Sequence, residues 1–151
     1  MKKGAVIIAF VSIFLSMSLI GCNSKSFSYE FIQDQANIAT VAISTLDYES
    51  KKMETLITLS EENIGVLIND VKSLKCREFM PIDPLLSYGD VVICITYYNG
   101  EIEVIGITNI GYIDLDGNWI TTRKYFNIKD ICAVISKFVD TKVLSEISDY
   151  F

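Results

Sequence analysis

A chain of 151 residues has room for one ordinary domain, and with half its residues hydrophobic and 11% aromatic it is no disordered polymer. The formal charge is −6; residues 1–21 hold Lys2 and Lys3 and no acid, so the remainder sets 11 basic side chains against 19 acidic ones. That acidity offers no footprint for phosphate backbones, which excludes nucleic acid as an expected partner, and it repels anionic lipid headgroups.

The first 22 residues divide into three parts. Met1-Lys2-Lys3 supplies a positive end that stays on the cytoplasmic side of a membrane. Residues 4–18 are apolar apart from Ser12, Ser16 and Ser18, and then come Leu19-Ile20-Gly21-Cys22. This run resembles the lipobox of bacterial lipoproteins: an aliphatic residue, a tolerated one, a small one, then cysteine. The resemblance stops at residue 22. It implies a diacylglycerol on the sulfur of Cys22 and cleavage between Gly21 and Cys22, leaving Cys22 as the new N-terminus. Two chains of buried methylenes, each contributing about 0.8 kcal/mol, hold firmly where one is marginal. An uncleaved membrane helix and an ordinary secretory signal are the competing readings.

The expected organisation is a cleaved signal peptide over 1–21, a lipidated cysteine and short tether over 22–26, and one globular domain over 27–151. Four extended residues, 23–26, reach about 13 Å, which keeps the domain close to the membrane. Phe27, Tyr29 and Phe31 then begin an aromatic alternation.

Residues 38–46 and 52–59 read as strands joined by a polar turn, Asp47-Tyr48-Glu49-Ser50. Ser60 is a helix N-cap, with Glu61 and Glu62 in the first turn, where the helix dipole favours acids. Ile64, Leu67, Ile68, Val71 and Leu74 recur at helical spacing, so the helix runs to about Lys75. Pro81 and Pro84 mark a loop. In 90–107 the pair Asn99-Gly100 predicts a two-residue hairpin turn. It sets Tyr97 opposite Ile102 and Ile95 opposite Val104 on one face, with Thr96 opposite Glu103 and Tyr98 opposite Glu101 on the other. A second hairpin over 110–126 turns through Asp114-Leu115-Asp116-Gly117. Asn127 caps a last helix, with Asp130 three residues on, whose apolar face is Ile128, Ile131, Cys132, Ile135, Phe138 and Val139. The expected fold is α+β: a two-layer sandwich of an antiparallel sheet and two helices, in the order ββ-α-βββ-α.

No catalytic, cofactor or metal site emerges from the residues. The absence of histidine removes Ser-His-Asp triads, Cys-His pairs and His-containing zinc sites. Glu101 and Glu103, about 7 Å apart along one strand face, are the pair through which carboxylate hydrolysis would work; their expected place is a solvated hairpin face. Asp114-Leu115-Asp116-Gly117-Asn118 has the alternating acids that open a calcium loop, but residues 119–126 contain no closing acid, and a turn explains Asp and Gly equally well. Gly106 and Gly111 lie within strands and mark a bulge or a bend. Cys94 and Cys132 read as small core residues, while Cys76 could pair with Cys94.

These readings favour a membrane-anchored extracytoplasmic lipoprotein of the bacterial envelope, on the outer side of the cytoplasmic membrane, with a non-enzymatic binding domain. Its partners would be the membrane, through lipid on Cys22, and an envelope protein or small ligand. Tyr98, Tyr112, Trp119 and Tyr125 are candidates for a contact surface. The alternative is a carboxylate-dependent cell-wall hydrolase, which needs two acids facing one cleft, one with a raised pKa.

Overall fold

The computed structural model describes residues 26–47, 50, 52–78, 90–107, 110–122, 124–148 and 151. Residues 1–25, with Gly21 and Cys22, lie outside the described residues, as do Tyr48 and Glu49 of the expected turn and the loop at Pro81 and Pro84.

The chain is a mixed α+β protein dominated by two antiparallel sheets. In order come β1 (Ser26–Ser28), a 3₁₀ turn (Gln35–Asn37), β2 (Ile38–Asp47), β3 (Lys52–Thr58), α1 (Glu61–Ser73), β4 (Lys75–Glu78), β5 (Asp90–Tyr97), β6 (Ile102–Gly106), β7 (Ile110–Ile113), β8 (Trp119–Thr121), β9 (Lys124–Phe126), α2 (Ile128–Ile135) and α3 (Thr141–Ile147). The larger sheet runs β3-β2-β5-β6-β7-β8 and the smaller β1-β4-β9. The expected order ββ-α-βββ-α omits the smaller sheet, one strand of the larger sheet and the third helix.

Both strands from the first β-rich stretch form and pair, with an irregularity between Ile43 and Ser44. Ile43 faces Ile57 and Ser44 faces Thr55, so Leu56 is the extra residue of a bulge, and its side chain packs against the main core. Ser60 caps α1 by accepting a hydrogen bond from the Asn63 N–H, as its position predicts. Leu67, Ile68 and Val71 are the buried side of that helix.

The hairpin at Asn99-Gly100 forms in a different register. Tyr97 N–H donates to the Glu101 carbonyl at 3.0 Å and Gly100 N–H to the Tyr97 carbonyl at 2.9 Å, so Tyr98, Asn99 and Gly100 make a three-residue loop. Gly100 takes the left-handed conformation, φ +95°, that such loops place at their last position. The added residue shifts the pairing by one: Ile95 faces Glu103, Thr96 faces Ile102 and Cys94 faces Val104. Ile102 and Val104 therefore leave the face of Tyr97 and Ile95, and Glu103 joins it.

The second hairpin is shorter than expected. It pairs 111–113 with 119–121, after which Lys124–Phe126 crosses to the smaller sheet beside β4. In the turn, Asp114 Oδ1 accepts from the N–H groups of Asp116 and Asn118, and Oδ2 accepts from the Asn118 amide. Those bonds, first the one from the Asn118 backbone, hold the Asp114 carboxyl below its ordinary range. Its oxygens thus serve the turn. Gly111 answers to a close approach: a Cβ there would lie 2.8 Å from the Ile120 carbonyl oxygen.

Asn127 caps α2 as expected, but α2 ends at Ile135 and Ile128 is exposed rather than on the buried face. Asp140 begins a separate α3 by accepting from the Lys142 N–H, and α3 buries Leu144. The main core gathers Val41, Ile43, Ile93, Ile95 and Ile105 from the larger sheet with Leu67, Val71, Ile131, Ile135 and Leu144 from the helices. A smaller cluster of Leu46, Val92, Cys94 and Val104, with Ile102 and Trp119 packed against it, occupies the other face of the sheet. Cys76 and Cys94 are buried free thiols belonging to different clusters, so the pairing considered between them does not form. Cys132 is buried in the main core.

Candidate functional site

The segment between β1 and the 3₁₀ turn has too few backbone partners to be a strand and is fastened instead by side chains. Two glutamates on β6 and its preceding loop do this. Glu103, fully buried, accepts the Tyr29 hydroxyl on Oε1, and on Oε2 the Tyr97 hydroxyl at 2.5 Å and the Ile32 N–H at 3.3 Å. Glu101, half-buried, accepts from the side-chain amides of Gln33 and of Asn99, the latter at 3.0 Å. Residues 29–33 are thereby a strap pinned to the larger sheet, with Tyr29 packed edge-on against Phe31 and Phe126 at ring separations of 5.3 and 5.2 Å.

This places Glu103 far from its expected solvated face, and the one-residue shift in register is the cause. Burial pushes its carboxyl above the ordinary range, while the three donors and the nearby Lys124 pull part of the way back. The two phenols are pushed up in turn, first by burial and then by the carboxylate they face. Lys124 Nζ lies over the rings of Phe27 and Tyr29, at 5.6 and 5.9 Å. The arrangement can hold or release one proton inside the protein. As built, Glu103 has no open side through which a substrate could reach it.

Beside the strap is an open cavity of about 350 Å³. It is lined by the aromatic residues Tyr29 and Phe31, the acids Glu30 and Asp34, the amides Gln33 and Gln35, and Lys72 from the last turn of α1. Asp34 has one oxygen committed to the Ala36 N–H, which caps the 3₁₀ turn. Gln35 Nε2 is shielded from solvent and, among the described residues, has no hydrogen-bond partner. In the sequence this segment carries only its aromatic alternation; its Glu, Gln and Asp residues form no motif.

The four aromatics expected to share a surface are dispersed. Tyr98 projects from the hairpin loop at 76% exposure. Trp119 packs on the smaller cluster. Tyr112 pairs with Glu103 and Ile120 on neighbouring strands, and Tyr125 belongs to the smaller sheet. Among the described residues no three His, Cys, Asp or Glu side chains converge on a metal position, and no helix is long and apolar enough to cross a membrane. No family model, curated protein or solved structure matches this chain.

Proposed function

We propose that this protein is a lipid-anchored extracytoplasmic lipoprotein of a bacterial envelope whose domain binds a ligand or partner rather than catalysing a reaction. The anchor is supported by Lys2, Lys3, the apolar run and Leu19-Ile20-Gly21-Cys22. Binding is supported by the strap: it spends both glutamates on internal donors and has a ligand-sized cavity beside it. The observation that carries the choice against a carboxylate hydrolase is the closure of Glu103, since an acid–base pair needs both members within reach of the scissile bond. A two-layer arrangement, helices over one face of the larger sheet, belongs to the same reading and is supported by the mixed membership of the main core.

Incubation with purified peptidoglycan, followed by chromatography of released fragments, tests the choice. The binding reading expects no release above buffer. Release that disappears in Glu101→Gln and Glu103→Gln would establish the hydrolase instead.

A further inference from the structure

The cavity beside the strap carries both signs of charge and an unsatisfied donor. Glu30 and Asp34 stand in its wall with Lys72, so a ligand of single charge would meet a like charge as well as an opposite one. A ligand with an ammonium and a carboxylate can satisfy both. Gln35 adds an amide suited to a peptide group, the Gln33 nitrogen being committed to Glu101, and Tyr29 and Phe31 add aromatic surface for an aliphatic chain. Gln35 supplies a separate indication. Its Nε2 has no partner among the described residues, and a buried donor left so costs about 1–3 kcal/mol. Gln35 also lines the cavity, so a bound acceptor oxygen would remove that cost if the side chain turns to meet it.

We propose that this cavity is a binding site for a small zwitterion of the amino-acid or short-peptide class. Its ammonium group meets Glu30 and Asp34, and its carboxylate meets Lys72 and Gln35. The inference rests on the binding reading above and gives it a ligand class. Glu101 and Glu103 act here as positioning residues, since they hold the strap that forms the wall. A volume of about 350 Å³ falls at the small end of ordinary ligand pockets, which suits a dipeptide rather than a long chain.

Calorimetric titration of L-alanyl-L-alanine into the full chain in detergent micelles tests this, beside N-acetyl-L-alanyl-L-alanine amide, which keeps the peptide groups and loses both charges. Saturable one-to-one binding of the zwitterion is expected, with the neutral analogue about tenfold weaker or more, the scale of one lost charged hydrogen bond. Lys72→Met and Gln35→Leu should each weaken dialanine; Lys72 is exposed, so its variant keeps the thermal midpoint, whereas Gln35→Leu removes an unpartnered buried donor and should not lower it. No saturable binding, equal binding of the neutral analogue, or binding undiminished in both variants would overturn the inference. Such a failure leaves the anchored-binder reading to its own test, because the peptidoglycan assay does not involve this cavity.

Discussion

Glu103 is the residue on which the most local structure depends. Its carboxyl is pushed above the range of about 4.3 that a glutamate has in an unfolded chain. Between those two values the folded state binds more protons than the unfolded one, so stability is highest below the lower value and falls as pH rises through the interval. Glu103→Gln keeps the shape and cannot ionise. Denaturant titrations from pH 4 upward should therefore show the parent losing stability relative to this variant; parallel curves would contradict the account. Glu103→Ala should be much worse, since each tyrosine hydroxyl left without an acceptor costs about 1–3 kcal/mol.

Gly100 is a residue whose role is legible in the sequence although its loop is not. Asn-Gly announces a turn, and the φ of +95° explains the glycine, but a two-residue and a three-residue loop both want it. Gly100→Val should cost more than about 1 kcal/mol, measured by chemical denaturation. A variant as stable as the parent would mean the loop does not hold that conformation. What the sequence concealed is the register, because a pattern fixes register only when one face is wet. Here Val91–Ile95 and Glu103–Gly106 are buried on both faces, so apolar alternation gave no outside to count from.

At the scale of elements, the strands and helices with complete local signals are where their residues predict. The run 38–47, the capped helix 61–73 and the Asn127 cap each carry a start signal and a period. The short pieces are missed for a physical reason: three- and four-residue strands such as β1, β4 and β9 have no period to detect and exist because they find each other across the fold. The third helix is absent from the sequence reading, because seven residues with one buried side chain leave a faint pattern. Leu144 is that side chain and lies in the main core. Leu144→Ala should cost about 2–5 kcal/mol if α3 closes the core as described. A loss within a few tenths of a kcal/mol would mean that α3 is not packed there.

Across the whole molecule, the strap follows β1, the first described element after the proposed anchor at Cys22 in the sequence. Ser26 already pairs with Arg77, so the described structure begins four residues after Cys22. The acidity of the remaining chain gives the domain no attraction of its own for anionic lipid, so the proposed attachment would rest on an acylated Cys22. The candidate cavity was the least legible feature in the sequence. It arises from side chains brought together by the hydrogen bonds to Glu101 and Glu103 rather than by a spaced motif.

The intact mass of the chain isolated from bacterial membranes tests the central claim most directly. The account predicts a protein lacking residues 1–21 and heavier by at least a diacylglycerol at Cys22, with Cys22→Ala remaining an unmodified full-length precursor. A native chain that keeps residues 1–21, or one cleaved there without lipid, would contradict it.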